Sequence, residues 1–175
     1  MDATETLMAE HRLIEQALDA LTAAGVPAKE ELALFVAFLR EFADARHHGK
    51  EENLLFKAMV ASGFPAEGGP VGMMLHEHGL GRALIATMRE KVEQSEAWSV
   101  EDSKAVAAAA RGYAELLRAH IQKEDQVLYP MAEQHLPAAA KIQVSEACAE
   151  FDAGRPAGEF EKFREIVQKL ARQPS

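Results

Sequence analysis

Apolar residues recur at helical spacing along almost the whole chain. Residues four apart lie on one helix face. One such row, Leu39, Ala43, His47, Glu51, Leu55 and Met59, is apolar except for one imidazole and one carboxylate. A second row, Gly112, Leu116, His120, Glu124, Leu128 and Ala132, repeats the arrangement. Leu7, His11, Ile14, Leu18 and Leu21 share a face, as do Met74, His78, Ile85, Met88 and Val92. No stretch alternates like a strand, and alanine and leucine are abundant.

Punctuation divides this pattern into helices. The first is expected over about 4–23, capped by Asp2 or Thr4 and ended by Gly25-Val26-Pro27. The second runs from about 28 to 61, where Ser62-Gly63-Phe64-Pro65 stops it. Pro70 suits the first turn of a third helix, which reaches about Ser95. Ser99 with Asp102 reads as a capping box for a fourth, which continues to about Gln134 with a kink or early end at Pro130. The expected fold is all-α: an up-down-up-down four-helix bundle over 1–136. Residues 137–175 are expected to add a helical hairpin packed on it, its stretches at about 138–151 and 157–172.

The polar members of the core rows belong to an internal repeat. HHGKEENLLF at 47–56 aligns with HIQKEDQVLYP at 120–130, pairing His47 with His120, Lys50 with Lys123, Glu51 with Glu124 and Phe56 with Tyr129. LMAEHRLI at 7–14 aligns with MLHEHGLG at 74–81, pairing Glu10-His11 with Glu77-His78. An unpaired buried polar group costs about 1–3 kcal/mol, and a carboxylate more. A lone core histidine is commonly just hydrogen-bonded. Three polar elements placed twice, in register, on buried rows instead suggest a two-metal site between helices, held by His11, His47, Glu51, His78, His120 and Glu124. His48, whose repeat counterpart is Ile121, is an additional ligand or a supporting group. His76 points away from His78 and is expected to be exposed; His135 suits the helix dipole better than a metal. Met74, Met88, Phe42, Phe56, Tyr113 and Tyr129 read as core packing.

Imidazole with carboxylate and no thiolate suits iron, manganese, zinc or copper, and disfavours calcium and magnesium. Cys148 is the only cysteine, which excludes an intrachain disulfide and a thiolate-rich site. Acidic residues outnumber basic ones 28 to 19, a net charge of −9 that argues against nucleic acid as a partner. The chain shows neither a basic segment leading into an apolar run nor 18 consecutive apolar residues. No membrane association is expected, and the cytoplasm is the default location.

On Glu10-His11, His47 with Glu51, Glu77-His78, and His120 with Glu124, the chain over about 4–135 resembles the hemerythrin-like family, the HHE cation-binding domain. The resemblance implies a non-haem di-iron centre with Glu51 and Glu124 bridging the ions, zinc or manganese being the alternatives. It implies a small diatomic ligand or peroxide as partner, and a role in oxygen or redox sensing, iron handling or protection from oxidative stress. Oxygen carriers of the family have a further histidine where Met74 stands, and use Asp, at a different spacing, where this chain has Glu124. Both departures weigh against reversible oxygen carriage, and His48 is placed to fill the open position. Two other readings stand beside this one: an enzyme that scavenges peroxide or nitric oxide or donates iron for cluster repair, and a zinc or mononuclear metal bundle.

Overall fold

The computed structural model describes residues 2–172. Those residues form helices and connecting loops, with no strand among them. We label the helices α1 (Ala3–Ala24), α2 (29–61), α3 (Gly69–Glu93), α4 (100–135), α5 (Ala138–Ala153) and α6 (Glu159–Ala171). The expected limits at residue 1 and at 173–175 lie outside the described residues.

Local chemistry sets the ends. Asp2 accepts a hydrogen bond from the Glu5 amide at 2.7 Å, and the Glu5 carboxylate accepts from the Asp2 amide at 3.1 Å. Ser99 and Asp102 form the same reciprocal cap on α4. Pro70 lies in the first turn of α3, preceded by Gly68 and Gly69 at φ 67° and 60°.

Two helices depart from regular α geometry, and one widened turn in each is repeat-related. In α2 the turns Leu39–His48 and Glu51–Leu55 widen to π geometry, and in α4 the turn Glu124–Leu128 does. The Phe56 amide donates to the Glu51 carbonyl, and the Tyr129 amide to the Glu124 carbonyl. Pro130 therefore does not end α4: the widened turn precedes it, and the helix continues to His135. Proline is not the common cause, since Lys57 stands at the matching place in α2. Such turns often mark functional sites.

Helix α3 packs against α2 and α4, and α1 packs against α2 and α4. Two apolar clusters fill the interior. One contains Ile14, Phe42, Ala43, Ile85, Leu117 and Ile121; the other contains Leu7, Leu55, Phe56, Met74, Leu128 and Tyr129. Along α1 to α4, the buried histidines and glutamates of the repeat fall at the boundary between these clusters. A polar layer thus crosses an otherwise apolar core.

Residues 138–171 lie against this assembly. Helix α6 packs on α1 and α2, and α5 packs on α1 and the 51–55 turn. Phe160 and Phe163 meet the Phe42 ring with centroids 5.5 and 5.9 Å away.

Candidate metal centre

Each helix delivers its donors by the spacing seen in the chain. His11, His47, His48, Glu51, His78, His120 and Glu124 are all buried, none more than 4% exposed. Glu51 and Glu124 each sit four residues after a histidine, at the start of a widened turn. The longer π stretch brings successive side chains closer in direction, and His47 and His48 both turn inward. His48 stacks on His78 with ring centroids 3.8 Å apart. His76 and His135 are exposed, the latter with its Nδ1 on the Met131 carbonyl at 2.9 Å.

Five imidazoles have a carboxylate behind them. His11 Nδ1 meets Asp125 at 2.7 Å, His47 meets Glu10 at 3.1 Å, and His48 meets Asp44 at 3.3 Å. His78 meets Glu52 at 2.7 Å and His120 meets Glu77 at 2.8 Å. A neutral imidazole has one donor nitrogen and one acceptor. With Nδ1–H donated to a carboxylate, the Nε2 lone pair is left facing inward. Most of these carboxylates follow the repeat: Glu10 serves His47 as Glu77 serves His120, and Asp125 serves His11 as Glu52 serves His78. Each also holds a base: Arg12 on Asp125, Lys50 and Arg46 on Glu10, Lys123 on Glu77, and Arg82 on both Asp44 and Glu52.

The inward atoms fall into two groups whose members lie within 4.8 Å of one another: His11, His47, Glu51 and Glu124, and His48, Glu51, His78 and His120. Glu51 belongs to both. Its Oε2 lies 3.7 Å from His47 Nε2 and 3.5 Å from His78 Nε2, while its Oε1 accepts from the Tyr129 hydroxyl at 2.5 Å. Glu124 spans the layer, with Oε2 3.2 Å from His11 Nε2 and Oε1 3.1 Å from His120 Nε2.

Protein groups alone leave this layer poorly satisfied. Among the described residues His47 Nε2, His48 Nε2, Glu51 Oε2 and both Glu124 oxygens find no hydrogen-bond partner. His78 Nε2 and His120 Nε2 face each other at 3.0 Å, although both rings already use Nδ1 on carboxylates. Two lone pairs at that distance repel unless a proton or a cation lies between. At about 1–3 kcal/mol for each unsatisfied group, the deficit rivals the whole folding free energy of about 5–15 kcal/mol. The residues fit a pair of cations that accept nitrogen and oxygen donors.

Ionisation reflects the same crowding. Burial and the neighbouring Glu124 charge push the Glu51 carboxyl well up. Burial also opposes ionisation of Glu124, but His11 and His120 outweigh it and hold that carboxyl well below the usual range. Burial likewise opposes ionisation of Glu10, yet His47 and Lys50 hold it at about 2. Burial and the charge of His11 lower His47 to about 4. Burial, with neighbouring imidazoles, also lowers His48 and His78, whereas His11 and His120 are raised because their carboxylates overcome burial. Burial keeps the Tyr129 phenol protonated and able to donate.

These directions set the pH response of the metal-free protein. The lowered histidines bind fewer protons folded than unfolded, so their contribution falls as pH drops below about 6.5; His47 alone loses about 3 kcal/mol by pH 4. The raised Glu51 opposes that loss. Above 6.5 His11 and His120 contribute stability that is lost as pH rises through their folded values, and the loss from the raised Glu51 begins already above its ordinary 4.5. Urea unfolding of chelator-treated protein across a pH series should show maximal stability near 6.5. A flat profile would mean that these groups are not buried together.

Reading the sequence alone missed several contributors. Tyr129 is more than packing: it stacks on His11 with centroids 5.5 Å apart and donates to Glu51. The carboxylates behind the imidazoles were visible in part, because Glu10, Glu77, Lys50 and Lys123 recur in the aligned segments. Asp44 accompanies the extra His48 at i,i+4, a second legible signal.

Residues 2–132 match the family model described as hemerythrin HHE cation binding domain. Comparison with curated proteins and with solved structures gave no match.

Proposed function

The chain belongs to the hemerythrin HHE cation-binding domain family, and from that premise we propose that it holds a non-haem di-iron centre that binds or reacts with dioxygen, peroxide or nitric oxide. The helices over 2–136 would form the family's up-down-up-down four-helix bundle, with α5 and α6 as an appended hairpin. His11 and His47 would hold one ion, and His48, His78 and His120 the other, with Glu51 and Glu124 shared between them. The observation that carries this reading is the convergence of five Nε2 atoms, each ring backed by a carboxylate, on two buried glutamates.

When bound and reduced, such an iron pair supplies electrons to a small oxidant. The protein's own part is positional. The carboxylates behind the rings fix each tautomer and raise its basicity, which is worth about 10–100-fold in metal affinity. Tyr129 holds one Glu51 oxygen, so the other faces the two histidine groups. The apolar clusters on either side of the polar layer restrict water there. The donor chemistry supports iron over calcium or magnesium, with zinc and manganese as competitors. His48 supplies the imidazole for which Met74 has no equivalent.

No described helix is long and apolar enough to cross a membrane. The proposed setting is the cytoplasm and the proposed partner a small diatomic molecule or peroxide. The test is anaerobic iron loading, metal counting, then exposure to air. Two irons per chain and a visible spectrum that changes on exposure support the reading. One zinc per chain, with no oxygen-dependent absorption, would replace it with a zinc or mononuclear bundle.

A further inference from the structure

The two halves of the repeat share one relay and differ in what covers it. In one half Lys123 bonds Glu77, which bonds His120; in the other Lys50 bonds Glu10, which bonds His47. The Lys123 side chain is 43% exposed, so water satisfies its remaining donors. The Lys50 side chain is 0% exposed, and its ammonium must find its partners within the protein. Glu10 supplies one at 2.6 Å, and the other is Asp152 at 3.1 Å, from the end of α5.

Asp152 lies beyond the residues that match the family model, as do Arg155 and Glu159 of the same cluster. It also meets Arg46 at 3.0 Å, and Arg46 in turn bonds Glu10 at 3.0 Å and Glu159 of α6 at 3.2 Å. Arg155 completes the cluster on Glu159 at 2.8 Å. Three acids thus face three bases. Where α5 passes Gly49, a Cβ would lie 3.3 Å from the Phe151 ring, tighter than an ordinary contact.

We propose that the carboxyl-terminal helices are part of the metal centre, with Asp152 a positioning residue for His47 that acts through Lys50, Arg46 and Glu10. With Asp152 present, Lys50 and Arg46 share their donors between two carboxylates. Glu10 then divides its oxygens, Oε1 to the two bases and Oε2 to His47 Nδ1. Without it, both bases are drawn onto Glu10, which shifts off His47 and frees the ring to turn. Binding at the His11–His47 group weakens. The group with His48, His78 and His120, backed by Asp44, Glu52 and Glu77, is disturbed far less. This inference rests on the proposed two-ion site.

Cobalt(II) titration of the full-length protein, followed by visible absorption, tests it. Wild type should take up two ions. Asp152→Asn should weaken one of them about tenfold, within the range for changes behind a ligand, and alter its visible bands. Glu159→Gln should act in the same direction more weakly, while Glu165→Gln, exposed on α6, should change nothing. If Asp152→Asn does not fold, Glu159→Gln decides alone. Unchanged affinities and bands in Asp152→Asn and Glu159→Gln, even with a lower thermal midpoint, would make the hairpin purely structural and overturn the proposal. A wild type that binds no cobalt would instead remove the two-ion reading beneath it.

Discussion

Glu51→Ala should abolish binding of both metal ions, weakening affinity by more than about a hundredfold, the upper end of the effect of merely removing a group behind a ligand. Glu51 is the residue common to both donor groups, and its Oε2 lies against His47 on one side and His78 on the other. Among the described residues no other side chain belongs to both groups, and Glu124 already extends one oxygen toward His11 and the other toward His120. Metal content after loading and gel filtration reads the result directly. The metal-free protein should respond in the opposite sense to the conservative change Glu51→Gln. That variant keeps the volume and the Tyr129 bond while removing a carboxyl that burial and Glu124 push well up. Above about pH 4.5, the ordinary carboxyl value, it should unfold at higher urea than wild type.

The second large effect is selective. His48→Ala should remove one ion and leave the other, taking the loaded protein from two ions per chain to one. His48 Nε2 is buried without a hydrogen-bond partner among the described residues and belongs to the group with Glu51, His78 and His120, but not to the group around His11 and His47. Its ring also stacks on His78, so the substitution loosens a second member of the same group. His76→Ala, two residues from His78 but exposed, should leave both ions in place. Equal loss from His48→Ala and His76→Ala would mean that α3 is turned wrongly about its axis. Two ions retained at wild-type affinity in His48→Ala would make His48 a packing residue only.

Much of this was legible because helix periodicity and the repeat report on the same positions. The row Leu39 to Met59 places His47 and Glu51 on a buried face by simple four-residue spacing, and Gly25, Ser62 and Ser99 mark helix ends by well-understood chemistry. The π turns were not legible. Their residues have ordinary helix-forming composition, and the widening is settled by how several helices bring donors to one layer. The inward turn of His48 follows from that widening, which is why its row, with exposed Arg40 and half-buried Asp44, looked mixed. The burial of Lys50 was hidden for another reason: a lysine between a glycine and two glutamates carries no local sign of burial, and its partner Asp152 comes from the later helix α5. Asp152 lies about 100 residues away in a segment outside the repeat, so no local pattern connects it to His47.

Two matched pairs of helices aim their nitrogen and oxygen donors at one interior point, where two ions are proposed to be held. A crystal structure of the metal-loaded protein, with anomalous scattering measured at the metal edge, tests it most directly. Two peaks per chain are expected, one touching His11 and His47, the other touching His48, His78 and His120, with Glu51 and Glu124 reaching both. A single peak, or peaks away from these side chains, would contradict it.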